Sequence, residues 1–226
     1  WILEEQNRVP EALMQYRKAL YYNPNHPDLR WNHGLACLML GDYARGWRDY
    51  EFRWKARNKQ KPPFNSPEWK GDPLDNRSLL LYTEQGFGDT IMFLRFAQQM
   101  GRANDRISLQ CQPQLKRLFS SQPEFENVVA NGEKLPSHDL HAPLMSLPLL
   151  LRLTRENNLH SQAYLSPDEL SIAPIPEAKP GHKKVAVTWT SAPHSEIREK
   201  KTVPYSKFSK LFNTPNCTFY SVQINA

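Results

Sequence analysis

Apolar positions follow a helical rhythm over roughly the first 57 residues, then a strand–helix alternation over the next hundred. In 27–57, PDLRWNHGLACLMLGDYARGWRDYEFRWKAR, the run Leu35, Leu38, Met39 is followed by Tyr43, Trp47 and Tyr50, and Gly41-Asp42 interrupts it. That predicts two short helices joined by a tight turn. Further on, Ser78–Thr83 is a continuous apolar run, as in a strand buried on both faces. Thr90–Met100 puts residues 93, 96, 97 and 100 on one helical face. Arg106–Cys111 predicts a second strand, and Pro113–Ser121 a helix opened by proline. Asn127–Ala130 and Asp139–Leu140 predict short strands, and Leu147–Thr154 another helix. Such alternation implies a parallel sheet with right-handed crossovers.

Two stretches break the pattern. Residues 58–76, NKQKPPFNSPEWKGDPLDN, read as a linker, with Trp69 anchoring it to a neighbouring surface. IAPIPEAKPGHKK reads as a second linker; beyond it Val185–Trp189 predicts a strand, Ser206–Phe212 a helix and Cys217–Val222 a strand. The expected division is therefore 1–57 helical, 58–76 linker, 77–175 an α/β domain and 176–226 the start of another.

Composition narrows the classes. A hydrophobic content of 39% suffices for a buried core, and the net charge of +6 argues weakly for an anionic ligand. Arg53, Lys55, Arg57, Lys59 and Lys61 crowd one stretch, which reads as a solvated charge cluster. The basic residues are not interleaved with aromatics on one element, so nucleic acid is not an expected partner. Cys37, Cys111 and Cys217 lie far apart without metal-ligand spacing, which fits a reducing cytoplasm and no metal site. No apolar run reaches the roughly 18 residues of a membrane span. No signal peptide is visible; the chain opens on Trp-Ile-Leu without an initiator Met, in what reads as mid-helix.

The helical segment repeats itself. Aligning NRVPEALMQYRKALYYNPN with the second copy sets Asn7 on Gly41, Val9 on Tyr43, Ala12 on Gly46 and Tyr16 on Tyr50. With Gly34, Ala19 and Pro24 these positions resemble the 34-residue tetratricopeptide repeat. Small residues at Gly34 and Gly46 are expected to let neighbouring helices approach closely.

Three segments could carry chemistry. Thr83-Glu84-Gln85-Gly86-Phe87-Gly88-Asp89-Thr90 lies between a strand and a helix, where free amides face the carboxyl end of a sheet. At least one of Gly86 and Gly88 is expected to take a positive φ or to lie where a Cβ would meet a ligand. The alternative is a plain turn with Asp89 as the helix cap. Next, SHDLHAPLMSLP places His138 and His141 where they could line a cleft, without partners for a metal. Last, Val187–His194 is a strand ending in a small-residue loop, followed by Glu196, Arg198, Lys200, Lys201 and Thr202. A basic loop of this kind suits phosphate.

Taken in order, EQGFGDT, HDLHAPLMSLP and VAVTWTS with its basic loop resemble the glycosyltransferase half of bacterial tetratricopeptide-repeat proteins related to heptosyltransferases. The resemblance covers nearly the whole chain. It implies α/β architecture: the N-terminal, acceptor-side Rossmann-like half of a GT-B fold, preceded by repeat helix pairs, with the donor-side half truncated. The resemblance implies Asp89 as general base and a nucleotide-sugar donor, with no cofactor or metal required. It points to Glu84, Gln85, Gly86, Gly88, Thr90, His141, Ser191, Lys201 and Thr202 as substrate or donor contacts. The family's Arg-Ser pair stands here as Lys201-Thr202, which replaces a guanidinium fork by a point charge. The helices are expected to recruit a glycan or protein acceptor. The competing reading is a protein-interaction module with a non-catalytic α/β scaffold.

Overall fold

The computed structural model describes residues 2–100, 106–154, 163–165, 175–190 and 202–222. The chain divides into two compact units, Trp1–Ser171 and Ile172–Ala226.

The first unit opens with α1 (Ile2–Glu5), α2 (Val9–Tyr22), α3 (Pro27–Met39), α4 (Tyr43–Tyr50) and α5 (Arg53–Ala56). Prolines stand in the first turns of α2 and α3, where no amide is missed. Asp42 caps α4 by accepting from the Arg45 amide at 3.3 Å. The turn after α1 and the turn after α3 are the same object. Asn7 (φ 58°) donates to Glu4 O at 2.9 Å, and Arg8 N–H to Leu3 O at 2.7 Å. Thirty-four residues on, Gly41 (φ 79°) donates to Leu38 O at 3.1 Å, and Asp42 N–H to Cys37 O at 2.9 Å. Both are helix ends closed by a left-handed residue and a paired set of back-bonds.

α3 packs against both α2 and α4. At Gly34 the approach is so close that an added Cβ would stand 2.8 Å from Tyr50 N and 2.9 Å from Asp49 C. The same interface buries Asp49, which accepts from Arg30 at 3.0 Å and pairs with His33 Nδ1 at 2.7 Å. Val9, Ala12, Leu13 and Tyr16 bury against Ala36 and Cys37.

A four-stranded parallel sheet follows: β1 (Leu79–Tyr82), β2 (Ile107–Cys111), β3 (Asn127–Ala130) and β4 (Leu140–Pro143), in the order β3-β2-β1-β4. The mixed α/β arrangement is compatible with a Rossmann-like fold. α6 (Phe87–Ala97) links β1 to β2, and α7 (Pro113–Ser120) links β2 to β3. Every residue of β1 is buried, which its unbroken apolar run requires. Leu79 and Leu81 join Phe93, Leu94, Ile107, Leu109 and Leu144 in the main core. Alternation turns Tyr82 to the other face, against Phe64 and His141.

The linker is an edge cover. His141 N–H donates to Pro67 O (3.1 Å) and Trp69 N–H to His141 O (2.8 Å), so Glu68 extends the sheet beyond β4. Trp69 is buried, with its indole N–H on Asp72 O. An exposed strand edge is thereby occupied by the chain itself.

Some expected boundaries moved. β4 runs Leu140–Pro143 rather than ending at 140. After a 3-10 turn at Leu144–Ser146, α8 covers only Leu147–Leu150, because Arg152 turns left-handed (φ 53°) and Leu153 N–H bonds back to Pro148 O. α6 starts three residues early, directly after extended Gly86.

The second unit pairs β5 (Lys183–Val187) in parallel with β6 (Cys217–Ser221). Between them α9 (Tyr205–Phe208) passes into a 3-10 turn at Ser209–Asn213, in place of one continuous helix. Trp189, Tyr205, Phe208, Phe212 and Phe219 form an aromatic row there. Among the described residues no helix is long and apolar enough to cross a membrane.

The Gly34 contact gives a direct test. A methyl there meets backbone, which cannot step aside, so Gly34→Ala is expected to lower the unfolding free energy by about 1–3 kcal/mol in urea titration. An unchanged midpoint would mean that the α3–α4 interface is not this tight.

Candidate functional site

Strand order reverses between β1 and β4, so the loops leaving their carboxyl ends, 83–86 and 144–146, flank the switch point of the sheet. In this fold type that crevice is where ligands enter. Here a guanidinium from the helical segment fills it. Arg53 is 2% exposed. Its Nε and Nη2 donate to the two oxygens of Glu84 at 3.0 and 2.6 Å. Nη2 also donates to Ser146 Oγ (2.9 Å), and Nη1 to Glu51 Oε1 (2.6 Å) and Tyr50 O (3.4 Å). All five N–H groups of the fork are thus engaged. Ser146 passes its own proton to Glu51 at 2.8 Å. The rings of Tyr50 and Trp54 lie 4.9 and 5.3 Å from the guanidinium carbon.

This corrects two expectations. The basic run 53–61 is not simply a solvated face, because its first member is the most deeply buried cation of the described residues. Arg57 and Lys61 lie over Trp31 and Trp54. Glu84 is not free for a ligand, since both oxygens belong to Arg53. Burial pushes the Glu84 carboxyl above the usual range, an effect that Arg53 only partly offsets.

The rest of the β1–α6 loop divides into held and open residues. Gln85 donates through Nε2 to the Tyr50 hydroxyl at 3.2 Å, and its carbonyl accepts from Gln112 Nε2 at 2.6 Å. Gln112 also donates to Thr90 Oγ1 at 3.0 Å, so the Thr90 hydroxyl is a buried internal contact. Gly86, Gly88 and Asp89 remain. Gly86 is the residue before α6, with φ −71° and ψ 171°. Gly88 lies inside the helix, and neither glycine has a positive φ. Both glycines thus take ordinary angles and face solvent, so the expected left-handed glycine is absent and neither supports a close backbone approach. An added Cβ would meet no protein atom within 4 Å at Gly88, and only Asp89 Oδ2, at 3.5 Å, at Gly86.

Asp89 is the third residue of α6 and does not cap it; Gly86 holds the cap position, with no side-chain bond. Among the described residues its carboxylate has no hydrogen bond and no ion pair. It is partly exposed, next to Phe87, which is 47% exposed.

The histidines separate. His141 sits in β4 under the linker, with Nδ1 3.1 Å from Ser66 Oγ and the Phe64 ring tilted against it at 4.6 Å. Burial lowers its pKa and favours the neutral ring. It is an internal packing residue, not a cleft residue. His138 does line an open groove of about 510 Å³, between Pro63–Ser66 and Lys134–Ser137. Its Nδ1 lies 2.8 Å from Pro136 O. In the second unit Thr202 Oγ1 lies 3.0 Å from Thr190 Oγ1, and Val203 N–H donates to Trp189 O, returning the loop to the carboxyl end of β5. Ser191 and Lys201 lie outside the described residues. Among those described, no cluster of three His, Cys, Asp or Glu could hold a metal.

Arg53, Tyr50, Gln112 and Ser146 escaped the sequence reading. Helical spacing marks Tyr50 as a packing residue, but nothing local marks the role of any of the four at this site, because each is defined by a partner far along the chain.

Over 94% of its length the chain is 25% identical to protein FlbA of Caulobacter vibrioides. It spans about 40% of that relative's length. No protein-family model matches the chain, and no solved structure does.

Removing the guanidinium leaves the buried Glu84 carboxylate and the half-buried one of Glu51 without their cation. Arg53→Met is expected to cost about 3–5 kcal/mol at about pH 8. A carboxyl whose folded-state pKa lies above its unfolded value binds extra protons in the fold, so the destabilisation it causes grows as pH rises through that window. The gap between variant and wild type should therefore narrow toward about pH 5 in denaturant titrations. A gap independent of pH would show that buried Glu84 is not its source.

Proposed function

We propose that this chain is the acceptor-side part of a glycosyltransferase of the GT-B type, preceded by tetratricopeptide-like helices, with Asp89 as general base. The observation that carries the reading is the Asp89 carboxylate, in the first turn of the helix after β1, without a hydrogen bond or ion pair among the described residues. The fold uses every other polar side chain of Glu84–Thr90 internally. The strand order β3-β2-β1-β4 and the same helix end repeated at Asn7 and Gly41 support the architecture.

In the proposed reaction, an acceptor hydroxyl gives its proton to an Asp89 oxygen while its oxygen attacks the anomeric carbon of a nucleotide-sugar. The bond to the diphosphate breaks, and the nucleoside diphosphate leaves with the electron pair. The first amides of α6 point toward the same space and can accompany an oxygen there. Gly88 without a Cβ leaves the acceptor room beside the carboxylate. The diphosphate contacts belong to the second unit in this reading, at Thr190 and Thr202 and in the loop between them. Donor and acceptor are a nucleotide-sugar and a glycan or protein; the reaction needs no metal.

A second reading, a protein-interaction module, draws on the helices. Met14, Tyr21, Tyr22 and Met39 are all more than half exposed, unusual for residues of this size. The two readings are compatible if the helices recruit the acceptor.

Three measurements follow. In the full-length protein, Asp89→Asn should lower transfer by about 100-fold or more, with the thermal midpoint unchanged because the side chain has no partner to lose. Near-normal transfer would remove Asp89 from the chemistry. Gly88→Ala should stabilise the chain by up to about 1 kcal/mol, since alanine favours the helix and meets nothing, while lowering transfer. Equal transfer would mean that no ligand approaches there. Finally, residues 1–226 alone should bind UDP-N-acetylglucosamine or GDP-mannose no tighter than about millimolar by calorimetry, because the described second unit is a two-stranded sheet with one short helix. Micromolar binding would place the donor site in the wrong unit.

A further inference from the structure

The geometry points to Arg53 as a positioning residue for the loop that carries Asp89, so that the helical segment sets where that carboxylate stands; this rests on the reading of Asp89 given above. The loop is gripped on two sides. From the helices, Arg53 takes both Glu84 oxygens and the Tyr50 hydroxyl accepts from Gln85. From the sheet, Gln112 donates to the Gln85 carbonyl and to Thr90 Oγ1. Between these grips lie Gly86 to Asp89, whose side chains make no hydrogen bond among the described residues. Their placement depends on the two anchors.

The anchor on the helical side needs arginine. The fork reaches Glu84, Glu51, Ser146 and the Tyr50 carbonyl at once. A lysine is a point charge on a flexible stem and can satisfy only part of that set. Arg53 touches nothing at the Asp89 end; it acts through Glu84 and the two peptides that follow. The same helices also hold the body of α6, since Trp47 and Tyr50 of α4 pack on Phe93 at 5.8 and 6.5 Å. A displacement of α4–α5 is therefore transmitted to α6 at two places, through the loop before its first turn and through Phe93.

Nuclear magnetic resonance and amide hydrogen exchange on the whole chain test this with Arg53→Lys. The variant should fold, shift the amide signals of Gly86 and Gly88, and leave those of Gly132 and Gly181 in place. Exchange at Thr90, whose amide donates to Gly86 O, should quicken by about 10-fold or more, with 107–111 and 127–130 unchanged, as expected for loss of hydrogen bonds to a charged group at one site. If Arg53→Lys fails to fold, Glu84→Gln serves the same purpose: it keeps the side-chain shape and one acceptor, and should move the same two glycines. Unmoved Gly86 and Gly88 signals overturn the proposal, as does faster exchange spread evenly over the whole unit. The reading of Asp89 fails separately. Should Asp89→Asn retain transfer while Arg53→Lys still shifts the two glycines, the positioning of the loop stands and the role of Asp89 falls.

Discussion

A buried guanidinium can be held only where every one of its N–H groups has a partner, because desolvating an unpaired charge costs more than most single contacts return. Arg53 meets that condition with groups from α4 and its end, from the loop after β1 and from the loop after β4. These pieces cannot drift apart without exposing or orphaning charge. The helices and the sheet therefore belong to one compact unit, Trp1–Ser171. The aromatic packing of Trp47 and Tyr50 on α6 adds apolar area but fixes no orientation as sharply. A planar fork bound to Glu84 through Nε and Nη2 fixes distance and angle together.

How much of this was legible depended on whether the information was local. The four residues Leu79–Tyr82 could be read as a doubly covered strand because four consecutive apolar side chains need two apolar faces. Gly34 could be read as a contact point from its place in the repeat, and backbone lies within 3 Å of its missing Cβ. Asn7 matched Gly41 in the alignment, and both adopt the left-handed turn. Arg53 was illegible for the opposite reason. It stands in a run with Lys55, Arg57, Lys59 and Lys61, and its distinguishing feature is a carboxylate 31 residues away. Periodicity carries no trace of such a partner. His141 misled because a histidine in a loop-like sequence, LHAPL, turned out to be mid-strand, paired on one side with Leu80 and on the other with the linker.

The two glycines of EQGFGD show how residue type and backbone angle come apart. Gly is permissive of left-handed φ, which made that the natural expectation. In the structure Gly86 is extended and Gly88 helical, angles open to most residues. Within the chain itself, alanine at Gly88 would be the better helix residue.

Direction of approach then follows from what already fills the crevice. At the order reversal between β1 and β4, Arg53, Tyr50, Ser146 and Glu84 occupy the space that an open α/β sheet leaves for a ligand. The sheet side of the loop is taken by Gln112. What is left is the solvent side of the first turn of α6. It carries the bare edges of Gly86 and Gly88, the Asp89 carboxylate and the exposed ring of Phe87. A molecule reaching that carboxylate meets an apolar ring, free amides and a single negative charge, with no cation among the loop residues 83–90. A carboxylate beside free amides can accept a hydrogen bond from a neutral hydroxyl.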